Sequence, residues 1–210
     1  MRVRTPSGAW RKTFVAAFAV ALIAVTGSAA PAVVARAATQ RICPDADLEP
    51  STQDLPAIRA ATVCLVNLER TLRSERPLAP SSRLEQAAQR HARSMALRDY
   101  FAHVGPRGDT PLSRIRATGY ISRAWIGVDL GENIGWGTLW LATPRAIVAA
   151  WMASPGHRAN ILDPRFRATA VGVFPELPAS LARGQAGAIY TQDFGASVIA
   201  PVHSTRARRR

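Results

Sequence analysis

Apolar residues in the first half of the chain recur at helical spacing. They predict a helix over residues 55–74 and a second helix from Ser81 or Ser82 to about Asp99. The apolar stripes are formed by Ile58, Ala61, Leu65, Leu68 and Leu72 in the first helix, and by Leu84, Ala88, His91 and Met95 in the second. Both helices are therefore expected to pack one face against a core.

The second half of the chain mixes short helices with β-type runs. In chain order, we expect a short helix from Thr110-Pro111 to Arg116, an extended segment over 131–137, a helix from Thr143-Pro144 that ends in a turn at Ser154-Pro155-Gly156, and strands at Ala168–Phe174 and Ala186–Phe194. No repeated βαβ unit is present, so a doubly wound parallel sheet is disfavoured. The pattern predicts an α+β fold in which a small antiparallel sheet packs against helices.

The N-terminus has the organisation of an export signal. Basic residues within the first twelve positions precede an apolar run over Thr13–Val25, and small residues follow. The pattern predicts a signal peptide over residues 1–37, cleaved after Ala29 or Ala37. The alternative is an uncleaved segment that anchors the protein to the membrane.

The charge of the chain narrows the classes of partner. The full chain has 27 basic and 14 acidic residues, a net charge of +13, and removal of residues 1–37 leaves +8. Export argues against nucleic acid as the partner, so lipid head groups or anionic wall polymers are the expected electrostatic partners. Residues 201–210 form a basic tail that is most simply solvated, and we expect a monomer that makes at most peripheral membrane or wall contact.

The two cysteines fit an oxidising compartment. Cys43 lies in a polar segment, residues 38–53, that we interpret as a tether, and Cys64 lies in the first helix of the main domain, residues 54–200. A bridge between them would tie the tether to the domain. The lack of a CxxC spacing disfavours a redox or metal role for either cysteine.

Three residues are candidates for chemistry. His91 lies on the apolar stripe of the second helix and is expected to be a packed core histidine, whereas His103 and His157 lie beside glycines in predicted loops. Glu132, within a glycine-rich segment, could hold an imidazole tautomer, act as a base or join the two histidines as a metal ligand. His103 and His157 could bind zinc, although no HExxH spacing is present. The alternative for each residue is a structural hydrogen bond that anchors a loop.

A series of motifs resembles the bacterial secreted branch of the CAP superfamily, whose SCP domain is shared by cysteine-rich secretory proteins, antigen 5 and pathogenesis-related proteins. The motifs are Tyr100-Phe101-Ala102-His103, Arg114-Ile115, Gly131-Glu132-Asn133-Ile134, Trp151-Met152-Ala153-Ser154-Pro155-Gly156-His157-Arg158-Ala159-Asn160-Ile161-Leu162 and Gln192-Asp193-Phe194-Gly195. The resemblance covers about residues 58–196. It implies an α-β-α sandwich with a central cleft.

The resemblance also implies a cleft tetrad of two histidines and two acidic residues. His103, Glu132 and His157 match three of these positions, but Ser154 stands where animal and plant members have the second glutamate. Asp109, in the loop after His103, is the candidate that could supply the second carboxylate of the tetrad. Other residues are expected to serve the scaffold. Arg114 would pair with a buried carboxylate or carbonyl, with anion contact at the cleft as the alternative, and Trp136, Trp140 and Trp151 would form core or cleft wall.

Two classes of function remain open at this point. The first is a secreted non-enzymatic protein that binds a lipid, a sterol or a surface ligand and requires no cofactor. The second is a hydrolase, a protease or esterase, that uses the same cleft with zinc or with acid-base groups. In that case His103 and His157 would bind zinc or carry protons, and Glu132 would orient or activate water.

Overall fold

The computed structural model describes residues 42–121 and 125–199. The predicted signal peptide and the basic tail lie outside these residues, so both stay predictions. Within the described part of the chain, no helix is long and apolar enough to cross a membrane.

The described chain forms six α-helices and four strands, joined in part by a 3-10 turn. The helices are α1 (Leu55–Thr71), α2 (Ser82–Leu97), α3 (Pro111–Ala117), α4 (Pro144–Ala153), α5 (Pro155–Leu162) and α6 (Ala179–Ala182). The strands are β1 (Ala79–Pro80), β2 (Trp125–Thr138), β3 (Ala168–Phe174) and β4 (Gly187–Ile199), and the 3-10 turn spans Leu139–Ala142.

The strands form one sheet in the order β1-β3-β4-β2. β4 is antiparallel to both β2 and β3, whereas the two-residue β1 pairs with β3 in parallel. β2 is consequently an edge strand, and it pairs with β4 along its whole length.

The sheet lies between two layers of helices. α2 packs on one face, where Met95 and Ile189 belong to one buried cluster. α1, α4 and α5 cover the other face, where Trp151, Val173 and Phe194 belong to a second cluster. This arrangement confirms the predicted α+β sandwich.

Several local predictions differ from the structure. The segment predicted over 131–137 belongs to the longer strand Trp125–Thr138, and the strand predicted over Ala186–Phe194 spans Gly187–Ile199. The first helix ends at Thr71 rather than at residue 74, and Ser74 adopts a positive φ of 62°. The predicted turn after α4 is wrong: Ser154 is a single extended residue, and Pro155 starts α5 directly. Proline favours this position because its fixed φ suits the first turn of a helix and its missing N–H needs no partner there.

The predicted disulfide between Cys43 and Cys64 is confirmed. Cys43 and Ala46 are both buried, and the Ala46 carbonyl accepts a hydrogen bond of 2.8 Å from the backbone N–H of Arg145 at the start of α4. The described part of the tether is therefore packed onto the domain and held to α1 by a covalent bond.

Replacement of both cysteines by serine should lower the free energy of unfolding by about 3 kcal/mol, because the unfolded chain then loses a constraint on its loop. Urea unfolding of the variant and of the oxidised protein measures the difference. Reduction of the unmutated protein should reproduce the loss, and equal stability of the oxidised and reduced forms would contradict a stabilising bridge.

Candidate functional site

The edge strand β2 presents the candidate site. Because β2 pairs with β4 alone, part of its backbone needs partners outside the sheet. The side chain of Asn160 donates to the carbonyl of Glu132 at 3.2 Å, and the indole N–H of Trp151 donates to the carbonyl of Ile134 at 3.1 Å. Residues from α4 and α5 thus fix the backbone on which Glu132 stands.

Two glycines of β2, Gly131 and Gly135, allow this close approach. A Cβ at Gly131 would lie 2.8 Å from the ring of Phe166, and one at Gly135 would lie 2.8 Å from the indole nitrogen of Trp151. Any larger residue at either position would push β2 away from the helical layer. The glycines that flank Glu132 are therefore explained by packing.

The carboxylate of Glu132 is buried and held at both oxygens. Oε1 accepts a hydrogen bond of 2.7 Å from Nδ1 of His103, and Oε2 accepts one of 2.6 Å from Nη2 of Arg114. The side chain of Glu132 is 2% exposed, whereas that of His103 is 28% exposed. The imidazole of His103 is thus the part of this group that solvent or a ligand can reach.

The partners of Glu132 keep its carboxyl ionised. Burial alone would raise its pKa, but the hydrogen bond from His103 and the positive charge of Arg114 outweigh burial and lower the pKa below its ordinary value. The carboxylate in turn keeps the proton of His103 on Nδ1, which fixes the orientation of the ring.

Arg114 also organises the loop that carries His103. Its Nη2 donates to the His103 carbonyl at 3.0 Å, and its Nη1 donates to the Asp109 carbonyl at 2.8 Å. The expected scaffold role of Arg114 agrees with these contacts. Asp109 is linked to the site through Arg114, whose Nη1 lies 3.4 Å from the Asp109 carboxylate.

His91 lies beneath the site. Its Nε2 donates to the carbonyl of Ala102 at 3.0 Å and lies 3.9 Å from Oε1 of Glu132. Burial lowers its pKa to about 4, so the ring is neutral at neutral pH. The helical spacing of His91 predicted a core histidine. It did not predict that the ring also holds the backbone of Ala102, the residue before His103.

His157 approaches from the other helical layer. Its backbone carbonyl accepts a hydrogen bond of 3.2 Å from the side chain of Asn133, the residue after Glu132. Burial and then the nearby charge of His103 lower the pKa of its imidazole. The structure therefore brings His103 into direct contact with Glu132, and the charge of His103 acts on His157.

Ser154 occupies the junction between α4 and α5. Its backbone N–H donates to the carbonyls of Ala150 and Trp151. Within the described residues, no hydrogen bond joins its hydroxyl to His157. The geometry gives Ser154 the role of a helix junction and does not form a Ser–His pair.

The side chains do not fit a three-ligand zinc centre. No group of three or more histidine, cysteine or acidic residues in the described ranges is arranged to hold a metal ion. Glu132 is held at both oxygens, and His103 could offer a metal only Nε2. Catalytic zinc sites use three protein ligands and a water.

Sequence reasoning missed a second buried acid. Asp193 is 1% exposed and lies directly opposite Glu132 on the neighbouring strand β4. The available signal was an acidic residue within the otherwise uncharged predicted strand Ala186–Phe194. Charged residues are rarely buried without a partner, so this position was recognisable as unusual.

An exposed apolar cluster follows the site along β2. We call it the tryptophan patch; it consists of Trp136, Leu139, Trp140 and Leu141, which are exposed by 40%, 46%, 67% and 46%. Trp136 lies on the same face of β2 as Glu132 and about 13 Å further along the strand. The expectation that the tryptophans form core or cleft wall holds for the buried Trp151 but is wrong for Trp140, which projects into solvent.

Comparisons with known sequences identify the family of the chain. The family model for the cysteine-rich secretory protein family matches residues 63–192. The chain is also 30% identical over 169 residues to the uncharacterized protein YkwD of Bacillus subtilis (strain 168), a match that covers 80% of this chain and 56% of YkwD.

Solved structures show a similar fold. An extracellular protein from Bacillus anthracis that contains an SCP domain has a TM-score of 0.53 and 23% identity, over 69% of this chain and 43% of that protein. An outer surface protein from Borrelia burgdorferi has a TM-score of 0.50 and 17% identity, over 70% of this chain and 96% of that protein. The chain therefore spans about half the length of two of these relatives.

Proposed function

Because the chain belongs to the cysteine-rich secretory protein (CAP) family, we propose that it is an exported, non-enzymatic protein that binds a lipid. In this proposal the tryptophan patch contacts the apolar part of the ligand. The accessible imidazole of His103, oriented by Glu132, faces its polar part. A sterol, a fatty acid and a phospholipid all share this amphipathic chemistry.

The tryptophan patch is the observation that carries the proposal. Four large apolar side chains exposed within six residues of the chain favour an interaction site, and tryptophan is favoured where apolar and wet surroundings meet. The turn is also strained, since Leu139 has a positive φ of 49°, which bulky residues rarely adopt. A hydrogen bond of 3.0 Å from its N–H to the carbonyl of Ala186 holds it there.

Two independent observations support export. The N-terminus has the pattern of a signal peptide, and the similar solved proteins are described as extracellular or as outer surface proteins. The disulfide between Cys43 and Cys64 is typical of that environment. We propose that the protein is released after cleavage, with the uncleaved membrane anchor as the alternative.

The geometry gives less support to a hydrolase. Glu132 accepts from two cationic or potentially cationic groups, so its carboxylate is a poor base for water. Among the described residues, neither Ser154 nor a cysteine is paired with a histidine as a nucleophile, because both cysteines form the disulfide. A binding function therefore explains the site better, because it needs neither a catalytic base nor a nucleophile.

We expect the exported form to bind lipid, and a variant with Trp140→Ser and Leu141→Ser to bind at least about tenfold more weakly. The loss of two buried apolar contacts, each worth more than about 1 kcal/mol, sets this magnitude. Titration with sterols, fatty acids and anionic phospholipid vesicles, read out by native mass spectrometry and by sedimentation, measures the change.

The matched control is Leu72→Ser, which removes a leucine of similar exposure (69%) at the end of α1, outside the patch. It should bind lipid as the unmutated protein does. The proposal would be wrong if the protein bound none of the lipids tested. It would also be wrong if the protein bound only an anionic wall polymer. Ester or peptide hydrolysis that disappears in His103→Ala would instead support the enzymatic alternative.

A further inference from the structure

Asp193 is a fully enclosed acidic residue beside the site. It lies on β4, between β2 and β3, and is the register partner of Glu132 on β2 and of Ala170 on β3. Directly opposite residues of an antiparallel pair project from the same face with Cβ atoms about 5 Å apart. The two acids are therefore neighbours within the layer between the sheet and α2.

No hydrogen-bond donor of the described residues reaches either oxygen of the Asp193 side chain. The nearby hydroxyl of Thr169 donates to the backbone carbonyl of Asp193 instead. Buried carboxylates without a donor are rare, because the loss of hydration is then uncompensated. The register places the Glu132 side chain directly opposite, and the charge of that carboxylate acts on Asp193. Two neighbouring buried carboxylates repel each other strongly when both are ionised, so one of them is expected to carry a proton.

The surrounding charges decide which acid carries the proton. Glu132 and Arg114 are the charged groups that act on Asp193, and β3 presents Ala170 on its other side. His91 on α2 acts on Glu132 and is neutral at neutral pH. The guanidinium of Arg114 is already engaged by Glu132 at 2.6 Å. One positive charge thus balances one carboxylate, and a second buried carboxylate would have no counterion.

The pKa values of the two acids consequently shift in opposite directions. Burial and then the charge of Glu132 raise the pKa of Asp193 well above its ordinary value. For Glu132, burial is outweighed by the hydrogen bond from His103 and by the charge of Arg114, and the pKa falls. The proton of the pair is therefore held by Asp193.

We propose that Asp193 is a neutral carboxylic acid in the folded protein and that its O–H group donates to Glu132. The pair then holds one proton and one negative charge. Asp193 becomes a positioning residue, since it gives the carboxylate a third donor in addition to His103 and Arg114 and thereby fixes the acceptor that orients the His103 ring. This inference does not depend on which ligand the protein binds.

The decisive experiment compares the unmutated full chain with Asp193→Asn, an isostere that is neutral and keeps a donor. Unfolding frees the Asp193 carboxyl to lose its proton above about pH 4, so folding takes up one proton at higher pH. The ratio of the unfolding equilibrium constants, unmutated over Asp193→Asn, should therefore rise about tenfold per pH unit between pH 5 and the pKa of the folded protein. Urea unfolding at successive pH values measures this slope.

The slope separates the proposal from a merely structural effect. A packing defect in Asp193→Asn would change the ratio by the same factor at every pH, whereas a ratio that stays flat with pH would overturn the proposal. A direct measurement needs no variant: the ¹³C resonance of the Asp193 carboxyl in the folded protein should have the shift of a protonated acid at pH 7. The shift of a carboxylate there would overturn the proposal as well.

Asp193→Leu tests the donor itself, because leucine is neutral and of similar size but cannot donate. The Glu132 carboxyl should titrate at higher pH in Asp193→Leu than in Asp193→Asn, since only asparagine still stabilises the carboxylate. Equal titration of Glu132 in the two variants, followed by its ¹³C carboxyl resonance, would overturn the positioning role.

Discussion

Glu132→Ala should lower the free energy of unfolding by about 3–5 kcal/mol, because it removes the closest counterion of the buried Arg114 guanidinium and leaves only the Asp109 carboxylate at 3.4 Å. The side chain of Arg114 is 8% exposed, and the lost bond is the 2.6 Å contact between its Nη2 and the carboxylate. The variant also releases Nδ1 of His103. Urea unfolding at neutral pH measures the stability, and histidine ring resonances report the released imidazole.

The control is an exposed ion pair of the same chain. Glu85→Ala removes a 3.1 Å contact with Arg59, and the Glu85 side chain is 44% exposed. This change should cost less than about 1 kcal/mol, as surface ion pairs usually do. A cost for Glu132→Ala no larger than that for Glu85→Ala would contradict a buried pair. Removal of both Glu132 and Arg114 should cost less than the sum of the two single changes.

The layers of the fold were predictable because their signals are local. The periodicity of Leu84, Ala88, His91 and Met95 gives α2, and all four side chains are buried. The strand Ala168–Phe174 has the predicted bounds. The two-residue β1 was not predictable, because Ala79 and Pro80 pair with β3 only after the chain has folded back. A proline in that segment indicated a break rather than a strand.

The site was predictable only in part, because it depends on pairing between distant segments. Glycine-flanked histidines and a glutamate pointed to His103, Glu132 and His157, and the motif resemblance grouped them. The Asp193–Glu132 pair depends on the register between β2 and β4, which no local pattern reveals. The exposure of Trp140 likewise depends on the 3-10 turn Leu139–Ala142 after β2. From the sequence alone, an aromatic residue is expected to pack in the core.

Trp151→Ala should lower the free energy of unfolding by about 3–5 kcal/mol, the usual cost of deleting a buried aromatic side chain. Trp151 is 2% exposed, packs edge-on against Tyr190 at a ring distance of 6.4 Å, and fills the space beside Gly135. It is also the donor to the carbonyl of Ile134. Its loss should therefore loosen β2 as well as the core between the sheet and α4, as measured by urea unfolding.

Trp151→Phe separates the hydrogen bond from the packing. Phenylalanine keeps much of the ring but leaves the Ile134 carbonyl without its donor, so we expect a loss of about 1–3 kcal/mol. Hydrogen exchange of β2 amides should quicken in this variant, since one of the contacts that hold the edge strand is gone. Trp140→Ala removes the same side chain from the solvent-exposed turn and should change stability by less than about 0.5 kcal/mol. If the Phe variant is as stable and as slow to exchange as the unmutated protein, the 3.1 Å bond to Ile134 does not hold the edge strand.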